Sequence, residues 1–497
     1  MANFGYYNFS GGINLRNSAL SMLSDEKQVE WSDAENVEFW GTGGFSKMLG
    51  NTCILDLGEG TKILGLAEYI IEENKYLVFV YSDGTEGHFC YFTDVDGATY
   101  EIIKSGLDKD ARCNFTNYLN GIAVANGVND PFVWINDEDP PHIVPTGFKW
   151  QTGEAPITMC NFKGRLFAAV PNSGTLYYSA LGDASDWTTS SDAGYVENFH
   201  GSSAPITSLQ PYGTNLAIYR EGEVYLLQGA SPGDFVITPF GNRGSVSPFG
   251  VLNYDNKQLF FNDGVYALEY GELQQIQLSN ELSIKISPGF DLLDKDRYDQ
   301  ITTLTYPKER QVWFYMPELG REDLSICWIM DRKDIKNIVW YKRRATPITT
   351  ACVYKDEIYT GTSDGKILKE NVGDTLNGEN FSGYWYGPWM LFKSPKLKCC
   401  ESGLDILFDG EKTNNVNMLL RYNTITSKER SKTIEAYSNL ILVWGNNNWG
   451  TSVWKDNRSL VKHMIVPGNF RNLQLGFEST GPFAINGIIF NNIEVLN

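Results

Sequence analysis

Between residues 176 and 249, short runs of β-branched and aromatic residues alternate with turn residues, and no helical periodicity interrupts them. Strand patterns fall at Leu216-Ala217-Ile218-Tyr219 and Glu223-Val224-Tyr225-Leu226-Leu227, joined as a hairpin through Arg220-Glu221-Gly222. The stretch reads as two antiparallel units in succession.

The same unit recurs along the chain. An Ile or Val (once a Cys) opens a strand that is followed, after a turn, by a second strand, with starts at Ile63, Cys113, Ile157, Ile206, Val251, Ile301 and Ile348. Their spacing of about 44 to 50 residues is that of propeller blades. Four starts share the pair Ile-Thr: Ile157-Thr158, Ile206-Thr207, Ile301-Thr302 and Ile348-Thr349. An aromatic follows each, at Phe162, Tyr212, Tyr306 and Tyr354, and hairpin signals recur at Asn262-Asp263-Gly264 and Ser363-Asp364-Gly365. The pattern predicts an all-β fold with a six- or seven-bladed β-propeller at residues 51–370; evenly spaced strands of a β-sandwich are the alternative.

Residues 1–50 do not carry the repeat. They read as a glycine-containing arm around Gly11, Gly12 and Asn14, a short turn capped by Ser24, a strand at Ala34-Glu35-Asn36-Val37-Glu38-Phe39-Trp40, and a glycine-rich turn at 41–44. Such an arm either docks on a neighbouring protein or packs on its own domain and supplies a closing strand. Pro140, Pro141 and Pro145 mark a loop between units, 331–336 a short helix-like insertion, and 185–192 a polar loop with an exposed Trp187. The repeat stops near Lys369, residues 371–380 read as a linker, and 381–497 as a C-terminal β-sandwich. Within it, Trp444, Trp449 and Trp454 beside Asn446-Asn447-Asn448 read as a sugar- or protein-binding loop, or as one packed on its own sandwich.

Composition agrees with strands and turns: aromatics make up 13% of the 497 residues, and Gly is abundant at 48. No apolar run approaches the ~18 residues of a membrane span, and the Met1-Ala2-Asn3-Phe4 start predicts no secretory leader. The eight cysteines include no Cys-x-x-Cys and read as reduced, buried thiols from a reducing site of synthesis. Formal net charge is −19, opposite in sign to a protein that grips nucleic acid through phosphates, yet suited to a conduit past which DNA must slide.

The order of motifs resembles a known family. Phe9-Ser10-Gly11-Gly12-Ile13-Asn14, then Ala34-Glu35-Asn36-Val37, is similar to the start of tail nozzle proteins of short-tailed bacteriophages, also called tail tubular protein B or tail stabilisation proteins. The resemblance continues through Leu176-Tyr177-Tyr178-Ser179-Ala180, Asp186-Trp187 and Ile206-Thr207. Gly229-Ala230-Ser231-Pro232-Gly233-Asp234-Phe235, Asn242-Arg243-Gly244-Ser245-Val246-Ser247-Pro248 and Asp263-Gly264-Val265-Tyr266 complete it, so that it spans roughly residues 9 to 370. It implies a virion structural protein, assembled in the host cytoplasm. The arm would dock on the tail adaptor, and a homohexameric ring below portal and adaptor would meet tail fibre or plug proteins and pass double-stranded DNA without tight binding.

Chemistry is sparse. His88, His142, His200 and His463 are isolated in sequence, so no metal or cofactor is expected. There is no Gly-x-Ser-x-Gly elbow, and 361–366 lacks the spacing of a phosphate loop. The segment from Ser179 to Trp187 superficially resembles a sialidase aspartate box, but it lacks the glycine between Asp and Trp and occurs once. No catalytic residue is therefore expected. The basic clusters Lys342-Arg343-Arg344 and Lys393, Lys396, Lys398 are readable as DNA contacts, solvated faces or ion pairs at a subunit interface. The runner-up reading is a glycan-binding or glycan-hydrolysing propeller acting on host surface sugars; a generic intracellular scaffold comes third.

Overall fold

A computed structural model describes residues 2–22, 28–40, 43–136, 142–146, 155–189, 191–197, 199–270, 275–332, 338–409, 414–435 and 460–496. The turn capped by Ser24, Gly41, the loop from Asp137 to Pro141, most of the 331–336 insertion and the loop of Trp444, Trp449 and Trp454 lie outside the described residues. The described chain is all-β: strands are joined by turns and five short 3-10 segments, and it contains no α-helix.

Seven antiparallel four-stranded units follow one another, six of them separate sheets along residues 62–348 and the seventh part of a six-stranded sheet. Six are simple meanders, opened by Lys62–Ile71, Asn114–Tyr118, Thr158–Phe162, Ile206–Tyr212, Val251–Tyr254 and Thr302–Tyr306. The seventh consists of Thr350–Tyr354, Glu357–Gly361 and Lys366–Glu370, and takes its fourth strand, Asn51–Asp56, from before the first sheet. Each opening strand touches the opening strand of the next sheet, and Thr350–Tyr354 touches Lys62–Ile71, so the succession closes into a ring. The starts read from sequence fall within two residues of these opening strands.

Packing explains why several strands do not alternate. A sheet with a neighbour on both sides is buried on both faces, and Gly121–Ala125, Gln311–Pro317 and Leu324–Asp331 are buried at every position. The apolar layers lie between sheets. Cys160, Phe167 and Leu176 of the third sheet meet Leu209, Ile218 and Leu227 of the fourth, while Leu66, Phe79 and Cys90 of the first meet Cys352, Tyr359 and Ile367 of the seventh. Thus the ring is held by sheet-to-sheet burial, and Asn51–Asp56 closes it by main-chain pairing.

The N-terminal segment does not project from the chain. Asp33–Glu35 joins Gly383–Tyr386, Leu473–Ser479, Asn415–Tyr422 and Ile425–Glu435 in a five-stranded sheet. Ala2–Tyr6, Val37–Trp40 and Gly44–Lys47 join Lys398–Cys400, Leu404–Phe408, Leu460–Met464 and Ala484–Val495 in a seven-stranded one. The two sheets bury their faces against each other, with Phe45 stacked on Trp385 at 4.5 Å. That core is continuous with the sixth sheet through Trp31 stacked on Tyr341 at 5.6 Å. Residues 371–380 are ordered too, as the short strands Thr375–Leu376 and Glu379–Asn380 beside the closing strand.

Candidate functional site

Residues from the first strand of every sheet (Glu68, Thr116, Met159, Gln210, Val251, Thr303 and Ala351 among them) line one central cavity of about 300 Å³. Arg112, just ahead of the second sheet, crosses this bore. Its Nη1 donates to Gln300 O at 2.8 Å and its Nη2 to Thr302 Oγ1 at 2.8 Å, both at the mouth of the sixth sheet. Along the ring, the second and sixth sheets are separated by two sheets one way and three the other, so this side chain bridges nearly opposite walls. The guanidinium lies 4.0 Å over the ring of Phe249, and burial pulls its pKa down to about 10, opposed by Asp299. Sequence reading missed Arg112. The signal was its position: Pro156, Pro205 and Pro347 directly precede three of the repeat starts, and Arg112 occupies that place before Cys113.

The motif residues do not converge on one site. Gly12 and Asn36 lie against the strand Val339–Ile348, while Gly11 and Asn14 lie against the segment from Val29 to Trp31. A β-carbon on Gly11 would lie 2.4 Å from Val29 O, and Gly12, at φ +62°, meets Val339 and Trp340. Flanking main-chain bonds run from Ile13 N to Trp340 O and from Asn14 N to Trp31 O, both 3.0 Å. Asn14 is buried, and its Oδ1 accepts from Asn17 N at 3.1 Å. Asn36 ties three parts of the chain together. Its amide donates to Lys342 O and its Nδ2 to Ser382 O; its carbonyl accepts from Met48 N and its Oδ1 from Arg344 N, all at 2.9 Å.

Asp186 accepts from the amides of Thr188 and Thr189 at 3.0 Å, and its carboxyl is held below its ordinary range chiefly by the Thr189 hydroxyl. Trp187 is not exposed, as the polar flanks suggested, but 6% accessible: it packs with Tyr118 and Ala123 of the second sheet and Leu166 of the third, and donates to Ala184 O at 2.9 Å. Gly233 and Asp234 form a turn in which Asp234 accepts from the Ser231 amide at 2.6 Å and its hydroxyl at 2.7 Å. Lys163 and Arg165 of the third sheet bind that turn at Gly229 O and Ala230 O. Asn242 is exposed; Arg243 donates to Tyr266 Oη at 2.6 Å; a β-carbon on Gly244 would stand 1.9 Å from Arg220 O.

The basic cluster turns inward. Lys342 pairs with Asp33 at 3.4 Å and Glu35 at 3.5 Å, Arg343 with Glu370 at 2.6 Å, and Arg344 with Glu318 at 2.6 Å and Glu35 at 3.4 Å. Lys342 and Arg344 thus join the N-terminal strands to the ring and Arg343 pairs within it, so all three cations have partners in their own chain. Lys398 is buried and donates to Ser394 O and Lys396 O. Over the whole chain, 60 acids are set against 41 Lys and Arg.

Among the described residues, one grouping has metal-ligand proximity: Cys399, Glu401 and Glu494, with ligand atoms within 4.8 Å of one another. The Glu401 carboxyl is raised by its hydrogen bond to Glu494 and by the charge of that neighbour. No helix among the described residues is long and apolar enough to cross a membrane.

No family profile and no curated protein matches the chain in sequence. Among solved structures, a chain of the mitotic checkpoint complex is similar over 65% of this chain and 93% of its own, at 11% identity and TM-score 0.44. The computationally designed Ika8 protein is similar over 65% of this chain and all of its own, at 12% identity and TM-score 0.38.

Proposed function

We propose that the chain is a virion structural protein, one copy in a ring-shaped tail nozzle below portal and adaptor through which the genome leaves. In this reading the ring of sheets is a seven-bladed β-propeller and the two antiparallel sheets beside it are a β-sandwich that includes the N-terminal strands. The observation that carries it is the order of the tail-nozzle motifs along the chain, from Gly11-Gly12 through Asn36, Asp186-Trp187 and Gly233-Asp234 to Asn242-Arg243-Gly244.

The bore of a single chain is not the conduit. A cavity of about 300 Å³, equivalent to a cube about 7 Å on edge and bridged by Arg112, is too small for a duplex whose major groove alone is about 12 Å wide. DNA would pass between copies, along surfaces whose surplus carboxylates repel phosphate and prevent stalling. Rigid sheets, closed by Asn51–Asp56, supply the stiffness. Contacts between copies that withstand internal pressure would be of the large, obligate kind.

The runner-up, a sugar-binding propeller, is favoured by one open groove of about 1010 Å³ lined by Tyr212, Tyr254, Tyr270, Asn253 and Glu269. Its acids are already engaged, Asp255 by Arg332 and Glu269 by Lys257, which speaks against hydrolysis there. Mass spectrometry of purified virions separates the two: the nozzle reading requires this chain in particles at several copies each. Its absence from virions, with retention of the free monomer on a glycan panel, would favour the second.

A further inference from the structure

We propose that the bore is a binding site for a small oxyanion of the phosphate or sulfate class, held against Arg112. This concerns the interior of one chain and stands apart from the assembly reading.

The argument starts from a contrast. Three arginines with enclosed side chains each have a carboxylate partner: Arg165 has Asp192 at 2.5 Å, Arg220 has Glu223 at 3.5 Å, and Arg343 has Glu370 at 2.6 Å. Arg112 differs. Among the described residues no carboxylate lies within 4.0 Å of it, and Asp299 acts on it only from farther away. Protein acceptors take two of its five N–H groups, at Gln300 O and Thr302 Oγ1, and the enclosed Nε has none. Arg112 is half-buried, and a guanidinium partly withdrawn from water without a close counter-charge carries a cost that lowers its pKa.

The neighbouring cavity is suited to supply the missing charge. Its wall includes Thr158, Ser208, Gln210, Thr303 and Thr350, whose side chains carry hydroxyl or amide donors, and one acid, Glu68, whose carboxylate is engaged by Lys75 at 3.1 Å and the Lys355 amide at 3.0 Å. A volume of about 300 Å³ holds a tetrahedral oxyanion with a few waters, each of roughly 30 Å³. A cation facing several hydroxyls favours a ligand with several acceptor oxygens over a spherical halide.

Thermal unfolding of the full chain, titrated with inorganic phosphate or sulfate against chloride at constant ionic strength, tests this. A saturable rise in Tm specific to the oxyanion is expected, with apparent affinity weakened about ten- to a hundredfold in Arg112→Met, the scale of charge-assisted hydrogen bonds. An equal response to chloride, or an equal response from Arg112→Met, would overturn the proposal. Wild-type crystals soaked in selenate provide a check that needs no variant: anomalous density within hydrogen-bonding distance of Arg112 supports the site, and a bore empty of selenate rejects it.

Discussion

Arg343 Nη2 and Glu370 Oε2 stand 2.6 Å apart with both side chains almost wholly buried, at the seam where the ring closes. Arg343 lies on the outer strand of the sixth sheet and Glu370 at the end of the seventh, opposite Asn51 of the closing strand. Asn51 Nδ2 and Thr360 Oγ1 both donate to Glu370 Oε1 at 3.0 Å, and Arg343 also reaches Gly50 O at 3.3 Å. One desolvated pair therefore links three separately encoded strands.

Removing either partner leaves a buried charge without compensation. Glu370→Leu and Arg343→Met are each expected to cost about 3–5 kcal/mol, and the double variant well below their sum. Denaturant unfolding of the four proteins measures the coupling; additive costs would show that the pair does not act as a unit.

Two motif glycines should behave oppositely. A β-carbon at Gly244 would lie 1.9 Å from Arg220 O and 2.3 Å from Glu223 O, both main-chain atoms unable to yield, whereas one at Gly233 meets nothing within 4 Å. Gly244→Ala should lose more than about 2 kcal/mol, and Gly233→Ala should stay within about 0.5 kcal/mol of the parent. Their midpoints in urea, measured side by side, check this.

Acid should destabilise the chain through specific carboxylates. Hydrogen bonds from Arg165 and the Leu181 amide hold Asp192 low, those from Ser231 hold Asp234 low, and those from Arg344 hold Glu318 low. Because these groups bind protons more readily when unfolded, the stability they contribute is present above the ordinary carboxyl range of about 4 and lost as pH falls through it. Asp192→Asn should flatten the dependence of unfolding free energy on pH below about 5. An unchanged slope would remove Asp192 from that role.

Thiol reactivity should be graded. Cys53 and Cys399 are half-buried and the other six cysteines are buried, with burial raising the pKa of Cys113 to about 12 and that of Cys400 to about 11. An aromatic disulfide reagent should modify Cys53 and Cys399 first and the remaining six only on unfolding. Rapid reaction of all eight in the native protein would contradict the packing.

Much of the ring was legible because its signal is local. At the repeat starts Ile206, Ile301 and Ile348 are buried between sheets, while the adjoining threonines cross to a neighbour: Thr349 Oγ1 donates to Ile63 O at 2.5 Å and Thr207 Oγ1 to Ser245 O at 2.6 Å. One residue type fills the layer and the next bonds across it, so the pair repeats. The path of the N-terminal segment was not legible. Asp33–Glu35 pairs with Gly383–Tyr386, some 350 residues later, and no local pattern encodes such a partner. Trp187 was misread because Asp183, Ser185 and Asp186 make its loop polar; Asp183 and Asp186 accept from the loop's own amides and the Ser185 hydroxyl donates to Asp183, while the indole turns into the layer between sheets. Arg112 was passed over because a lone arginine in a polar linker carries no motif; its role arises only when the ring closes.

Low-resolution electron microscopy of the purified, assembled protein bears most directly on the proposed nozzle. Closed rings of about six copies, with a central channel between subunits wide enough for a duplex, are the predicted result. Particles that remain single chains at high concentration would contradict it.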